Sequence, residues 1–124
     1  MKKRILVIDD DPEMGDVFKE VFPTNHNEVF FYEQVENIID LLSLHQPHIV
    51  LLDYNLDTEN GGEICKHIKS SKQYSHIPVI LLSAFPRFIY SHRDIGYDGF
   101  LEKPFDIQEL INLVEDKISN GSSK

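Results

Sequence analysis

The chain has 124 residues, and its 12 Lys and Arg against 21 Asp and Glu give a formal net charge of −9. This length suits one domain with a hydrophobic core and is short for two. The acidic balance argues against the basic surface that binding to a nucleic-acid backbone requires. No apolar run approaches the roughly 18 residues of a membrane span. The single cysteine, Cys65, excludes an internal disulfide. We therefore expect one cytoplasmic domain that neither inserts into a membrane nor binds nucleic acid directly.

Strand-like and helical patterns alternate through the first half of the chain. Residues 5–8 are an unbroken apolar run, which predicts a buried strand. Pro12 suits the first turn of a helix, and Asp11 suits its N-cap. The elements predicted up to Pro47 are a strand over 5–8, a helix over 12–22, a strand over 27–32 and a helix that begins near Val35.

The stretch from His48 to Asn55 is the one around which the predicted fold is organised. Residues 49–52 are four consecutive apolar residues without helical spacing, so they predict a strand buried on both faces. Asp53 follows directly, and we expect it to be the first residue to emerge from the core. Ligands gather outside the carboxyl ends of parallel strands, so this acid is expected to face a site.

The second half of the chain continues the alternation. Its predicted elements are a helix that follows Gly61-Gly62 and ends near Ser71, a strand over 78–82, a short helix over 87–94, a strand over 99–102 and a final helix capped by Asp106. Asn120-Gly121 is expected to end that helix. The domain is therefore predicted to span residues 1–121, with residues 122–124 as a flexible tail.

Strands that alternate with helices predict an α/β fold with a doubly wound parallel sheet of five strands and helices on both faces. The common strand order for this number of strands is 2-1-3-4-5, which places strands 1 and 3 side by side. Asp9, Asp10 and Asp53 would then converge at one edge of the sheet. Ser83 and Lys103 would reach the same edge from strands 4 and 5.

Three carboxylates this close together would repel one another, and a divalent cation would relieve that repulsion. Hard oxygen ligands in a pocket open to water favour Mg2+, which shares phosphate oxygens with its substrates. A carboxylate beside Mg2+ can attack a phosphoryl group and form an aspartyl phosphate. Lys103 would balance the added charge, and the Ser83 hydroxyl would contact the phosphoryl group.

Four motifs occur in a recognisable order along the chain. They are Asp9-Asp10 after the first predicted strand, Asp53 after the third, Ser83-Ala84 after the fourth and Lys103-Pro104-Phe105 after the fifth. In these residues the chain resembles the receiver domain of two-component response regulators, and the resemblance extends over nearly its whole length. It implies a flavodoxin-like fold with the strand order given above.

The resemblance also implies a role for each matching residue. It implies that Asp53 is the phosphate acceptor, that Asp10 binds Mg2+ directly, that Asp9 supports the metal through water and that Asn55 supplies a backbone carbonyl. Ser83 and Phe100 match the two switch positions of the family. Lys103 matches its invariant lysine, which is usually followed by a cis peptide bond to proline.

Three features depart from the family pattern. Asp57 stands where the loop after the phosphate acceptor usually carries proline. Only 19 residues separate Ser83 from Lys103, so the helix predicted over 87–94 is short. Phe85 is bulky where it could shield the phosphoryl group from water, and we expect Phe85→Ala to speed the loss of phosphate from Asp53.

A phosphorylation-driven switch is the function that this resemblance implies. Such a domain catalyses its own phosphorylation and dephosphorylation without being a turnover enzyme. Its partners would be a histidine kinase or histidine phosphotransfer protein and a downstream protein target. The target would meet the face formed by residues 87–94, strand 99–102 and the final helix. We expect a monomer or a weak dimer.

Two alternatives from other functional classes remain open on the sequence alone. Asp9 and Asp11 stand at the D-x-D spacing of haloacid-dehalogenase-type phosphatases, in which Asp9 would be the nucleophile. That class usually needs a longer chain with an acidic pair after its fourth strand, where this chain has Ser83-Ala84. The third possibility is an interaction module that is never phosphorylated.

Overall fold

The structure is a computed structural model that describes residues 2–56, 60–84 and 95–122, the last three without their side chains. Its elements are β1 (Lys3–Ile8), α1 (Pro12–Val21), β2 (Asn27–Tyr32), α2 (Ile38–His45), β3 (Ile49–Asp53), α3 (Gly61–Ser70), β4 (Val79–Ser83), β5 (Gly99–Glu102) and α4 (Ile107–Ser122). The helix predicted over 87–94 lies outside the described residues, as do Asp57 and Phe85. Within the described ranges, every helix is too short or too polar to cross a bilayer.

All five strands form one parallel sheet in the order β2-β1-β3-β4-β5, which confirms the predicted topology. β1 and β3 pair from Ile5 opposite Ile49 to Ile8 opposite Leu52, so the residues that follow them reach the same edge. Their apolar residues are fully buried, as expected of strands covered on both faces. The point between β1 and β3 at which the strand order reverses therefore lies where the acids were expected to meet.

Helices cover both faces of the sheet, because successive residues of a strand point to opposite sides. One core contains Leu6 and Leu52 and is covered by α2 and α3. The other contains Val7 and Leu51 and is covered by α1 and α4. Cys65 of α3 is buried in the first core, and this burial raises the pKa of its thiol to about 12. The thiol therefore belongs to the core and stays protonated at neutral pH.

Two predicted helix ends are wrong, the start of α2 by about three residues and the end of α4 by one. α2 begins at Ile38, not near Val35, because the Asn37 side chain accepts hydrogen bonds from the backbone N–H groups of Ile39 and Asp40. The cap sets the start of this helix, although Val35 still packs against the core. α4 continues to Ser122, past the predicted stop at Gly121. Glycine can adopt helical dihedral angles, and a last turn is a weakly determined boundary.

Candidate functional site

The structure brings Asp9, Asp10 and Asp53 together at the carboxyl edge of the sheet. Asp9 and Asp10 follow β1, and Asp53 is the last residue of β3. One carboxylate oxygen from each of the three lies within 4.8 Å of the others. Asp9 is 0% exposed and Asp53 is 4% exposed, while Asp10 is half-buried. The predicted convergence is confirmed, but Asp53 lies deeper than the sequence suggested.

Lys103 links two of these acids. It follows β5, and its backbone N–H donates to the carbonyl of Ser83, the last residue of β4. Its ammonium Nζ donates to Asp9 Oδ2 at 2.8 Å and to Asp53 Oδ2 at 3.2 Å. The peptide bond between Lys103 and Pro104 is cis, as the family resemblance implied. A single cation therefore bridges two buried carboxylates.

The three acids have different hydrogen-bond environments. Asp9 Oδ1 accepts from the backbone N–H of Asp11 at 3.0 Å, and Asp9 Oδ2 is held by Lys103. The backbone N–H of Asp9 donates to the Tyr32 carbonyl at 3.0 Å. Asp53 Oδ1 accepts from the backbone N–H of Asn55 at 3.0 Å. Within the described part of the chain, no hydrogen bond to the Asp10 carboxylate is found, and one of its oxygens lies within 4.8 Å of oxygens of Asp9 and Asp53.

The electrostatics of the pocket keep Lys103 charged and make Asp53 harder to ionise. Burial is the largest cause that raises the pKa of Asp53 to about 6, and Asp9 adds to it, while the Asn55 N–H and Lys103 oppose it. Burial alone would lower the pKa of Lys103, but the hydrogen bond and charge of Asp9, together with Asp53, raise it overall. The pocket therefore holds a protonated lysine beside a carboxyl group whose pKa is raised to about 6.

The remaining predicted site residues lie around this pocket. Ser83 is fully buried at the end of β4, beside the register pair of Asp53 and Leu82. Asn55 is exposed just beyond β3. Phe100 is half-buried on β5, where it lies opposite Leu81, and its ring packs nearly perpendicular to the Tyr97 ring. Ser83 is thus close to the acids in the fold, whereas Phe100 lies further back along the sheet.

Gly61 supports the site in a way that the sequence analysis missed. It is the first residue of α3, and its backbone N–H donates to the Tyr54 carbonyl at 2.8 Å. A Cβ atom at this position would lie 2.3 Å from the carbonyl oxygen of Asp53. Only glycine therefore allows α3 to begin this close to the end of β3. The Gly61-Gly62 pair was visible in the sequence, but its neighbour in space was not.

A groove of about 400 Å³ opens beside Lys103. It is lined by Asp11, Met14, Val17, Ala84, Lys103, Pro104, Phe105 and Ile107. Ile107 in this lining is 44% exposed. The acid pocket is thus bordered by a mostly apolar surface formed by α1 and the start of α4.

Comparisons with known proteins agree with this geometry. The family model described as the response regulator receiver domain matches residues 5–115. The heme response regulator HssR of Staphylococcus saprophyticus is 31% identical over 110 residues, which are 86% of this chain and 47% of that protein. The chain thus spans about half the length of this curated relative.

Solved structures have the same fold. The receiver domain of NtrX from Brucella abortus is 25% identical, with a TM-score of 0.80 over 93% of this chain and 98% of that one. The signal receiver domain of a histidine kinase from Syntrophus aciditrophicus is 24% identical, with a TM-score of 0.85 over 95% of this chain and 91% of that one. At 24% identity, the likeness to the histidine kinase receiver domain supports the fold alone.

Proposed function

Because the chain belongs to the response regulator receiver domain family of two-component systems, we propose that it takes a phosphoryl group from a phosphohistidine onto Asp53 and thereby switches the binding of a partner. The observation that carries this proposal is the bridge from Lys103 Nζ to the buried carboxylates of Asp9 and Asp53. A fixed ammonium beside a buried carboxylate is suited to stabilise the charge that a phosphoryl group brings.

The donor set of the pocket fits Mg2+. Three carboxylates with oxygens within 4.8 Å of one another offer the hard ligands that this ion prefers. Asp10, Asp53 and the Asn55 backbone carbonyl would hold the ion directly, and Asp9 would support it through water. When bound, Mg2+ supplies positive charge that offsets the carboxylate repulsion and attracts phosphate oxygens.

The proposed reaction transfers a phosphoryl group between two side chains. A carboxylate oxygen of Asp53 forms a bond to phosphorus while the phosphorus–nitrogen bond of the phosphohistidine breaks, and the electron pair stays on the departing imidazole. Because burial raises the pKa of Asp53 to about 6, this carboxylate is mostly ionised at pH 7 and able to attack. Lys103, whose pKa is raised, stays protonated and offsets the charge of the product.

The donor would be a histidine kinase or a histidine phosphotransfer protein. The groove beside Lys103 offers it an apolar docking surface that includes Met14, Val17 and Ile107. A helix with apolar residues on one face would place its phosphohistidine above Asp53 from this side. We place this exchange in the cytoplasm, because a lone buried thiol suits a reducing environment.

Phosphorylation would then change the surface that a downstream protein reads. The buried Ser83 hydroxyl lies at the end of β4, where a phosphoryl group on Asp53 would attract it. Movement of Ser83 would leave room for Phe100 to move inward and reshape the face formed by β5 and α4. The outcome is a shift in population between two packings of the same chain.

The phosphatase alternative is disfavoured by the position of Asp11. In that reading Asp11 would act with Asp9 at the D-x-D spacing, but the Asp11 side chain caps α1 by accepting from the Glu13 N–H at 3.0 Å. Asp9 also has the shorter bond to Lys103, 2.8 Å against 3.2 Å for Asp53, and is the more deeply buried of the two, 0% against 4% exposed. Asp53 is therefore the better nucleophile in this pocket.

The test is incubation with Mg2+ and acetyl phosphate, followed by mass spectrometry of the intact protein. We expect the parent to gain one acyl phosphate that hydroxylamine removes, and Asp53→Asn to gain none. Asp40→Asn, an exposed acid on α2, serves as the control and should behave as the parent does. Labelling that survives in Asp53→Asn and disappears in Asp9→Asn would favour the phosphatase mechanism and overturn the proposal.

A further inference from the structure

Tyr97 makes a directed contact with Phe100. The centroids of the two rings lie 6.2 Å apart and their planes meet at 89°, so the rings pack edge to face. Both rings are half-buried, and both pack against the core that α2 and α3 cover. An edge-to-face pair has an orientation-dependent attraction beyond the burial of its surface. The contact therefore favours the position that Phe100 has in this structure.

The backbone around Tyr97 is firmly attached to the rest of the fold. The neighbouring Asp98 exchanges two hydrogen bonds with Val79 at the start of β4, each 2.8 Å long, one through its backbone and one through its side chain. Asp98 Oδ2 also forms an ion pair with Lys69 Nζ at 2.6 Å. Lys69 in turn donates to the backbone carbonyls of Ser75 and Ile77 at 3.1 and 2.8 Å.

This network makes Tyr97 the fixed member of the ring pair. Lys69 is only 17% exposed, and its ammonium joins α3, the entry to β4 and the entry to β5 at one point. Because its neighbour Asp98 is anchored to α3 and to the start of β4, Tyr97 keeps its place when the Phe100 ring moves inward. If Phe100 moves, the edge-to-face contact is lost.

We infer that Tyr97 is a positioning residue that holds Phe100 in the place it has in this structure, against the inward movement that phosphorylation of Asp53 is proposed to cause, and thereby sets the threshold of the switch. This inference rests on the proposed function, because it assumes that phosphorylation of Asp53 moves Phe100. Loss of the Tyr97 ring would remove a contact that Phe100 makes in its present position and would not keep after moving inward. The equilibrium would shift toward the switched packing by about 2- to 10-fold, the range expected for one aromatic pair.

The test measures the affinity for beryllofluoride, a phosphoryl mimic, in the presence of Mg2+. Any ligand that prefers the switched packing binds more tightly when that packing is already populated. We expect Tyr97→Ala to lower the apparent Kd for beryllofluoride by about 2- to 10-fold. In Tyr97→Ala without ligand, the backbone amide resonance of Ser83 should be displaced from its position in the free parent toward its position in the beryllofluoride-bound parent. Ser83 is a suitable reporter because it lies on β4, away from the Tyr97 ring.

Two further variants separate positioning from simple stability. Tyr97→Phe keeps the ring edge and should match the parent in both measurements. Tyr97→Leu keeps an apolar side chain but removes the aromatic ring. It should shift both measurements in the same direction as Tyr97→Ala. If Tyr97→Ala does not fold, Tyr97→Leu provides the test in its place. Equal affinity and an unmoved Ser83 resonance in the Ala and Leu variants would overturn the inference, as would a Phe variant that differs as much as they do.

The same experiment tells the two claims apart. A parent protein that shows no response to beryllofluoride and Mg2+ would contradict the proposed function, and this inference with it. A parent that responds, together with Tyr97 variants that respond identically, would contradict only the role of Tyr97.

Discussion

The ammonium of Lys103 lies 2.8 Å from the buried carboxylate of Asp9, although the two residues are 94 positions apart in the chain. Asp9 belongs to the first strand-to-helix connection and Lys103 to the last, so the contact closes the site across β3 and β4, the two strands that lie between β1 and β5. This ion pair stabilises the fold because Asp9 is 0% exposed. Without Lys103, the Asp9 carboxylate would be a buried charge with no ion-pair partner.

We therefore expect Lys103→Met to destabilise the protein when a chelator keeps metal away. The loss should be about 3 kcal/mol, the lower end for breaking a buried ion pair, because the Lys103 side chain is 22% exposed. Added Mg2+ should recover part of the loss, since it would offset the same carboxylates. Urea unfolding with and without Mg2+ measures both effects, with Lys72→Met, at an exposed position, as control. A Lys103→Met variant as stable as the control would show that the ion pairs of Lys103 do not contribute to the stability of the protein.

Asp53→Asn should have the opposite effect on stability at neutral pH. Burial raises the pKa of Asp53 from 3.8 to about 6, so the folded state binds this proton more tightly than the unfolded state. Stability therefore falls as the pH rises from about 4 to about 6, and stays lowered above that. Asn removes this loss, which amounts to as much as about 3 kcal/mol at about 1.4 kcal/mol for each pKa unit.

The measurement is urea unfolding of parent and Asp53→Asn in chelator, at pH 7.5 and at pH 4. The variant should be the more stable protein at pH 7.5, and the difference should shrink at pH 4. Asp40→Asn, exposed on α2, is the control. A stability difference that is the same at both pH values would mean that ionisation of Asp53 is not its source.

Gly61→Ala should destabilise the protein where α3 approaches the end of β3, next to the acid pocket. The added Cβ would lie 2.3 Å from the Asp53 carbonyl oxygen, and backbone atoms on both sides cannot yield as a flexible side chain would. We expect a loss of about 1–3 kcal/mol in stability, as for other overpacked positions, and a weaker affinity for Mg2+. Gly99→Ala is the matched control, because its nearest neighbour would be the flexible end of Lys117 at 3.4 Å. Thermal unfolding and a Mg2+ titration would show whether the two alanine variants differ; if both match the parent, the close approach is unimportant.

His48 should make stability depend on pH at the opposite end of the sheet. Its Nδ1 accepts a hydrogen bond from the Arg4 backbone N–H at 2.9 Å, so the folded state requires a neutral ring. Burial lowers the pKa of His48 below 6.5, and the charges of Arg4 and Lys3 lower it further. The unfolded state therefore binds this proton more readily, and the stability that the neutral ring contributes above pH 6.5 is lost as the pH falls.

His48→Asn keeps a hydrogen-bond acceptor but removes the titration. Unfolding measured between pH 7.5 and pH 5 should show that the variant loses less stability than the parent over this interval. The contribution of Asp53 has the opposite sign in this range, but it is common to both proteins and cancels in the comparison. His26→Asn, at an exposed position, should follow the parent. Parallel curves for parent and His48→Asn would contradict the prediction.

The sequence was most informative where burial alone determines structure. The runs that became β1, β3 and β4 are buried on both faces, and such strands leave little choice but a central place in a parallel sheet. From that order, the meeting of Asp9 and Asp53 followed. Helix ends were harder, because a cap such as Asn37 outweighs the apolar spacing that suggested a start near Val35.

Contacts between side chains of distant elements could not be predicted. Lys103 was expected to balance a phosphoryl group, but its closer bond is to Asp9, and this depends on how far β5 extends past β4. The role of Gly61 depends on how closely α3 approaches β3, and the role of Tyr97 depends on the position of a loop. Each is set by packing in three dimensions, which residue spacing along the chain does not encode.

The most direct test of the central claim is to find the phosphoryl group on its residue. The protein would be treated with Mg2+ and phosphoramidate, a small donor with the same phosphorus–nitrogen bond as phosphohistidine, and then reduced with borohydride, which converts an aspartyl phosphate into homoserine. Peptide mass spectrometry should find homoserine at position 53, in amounts that fall when a chelator replaces Mg2+. Homoserine at position 9 or 10 instead, or at none of the three positions, would contradict the account.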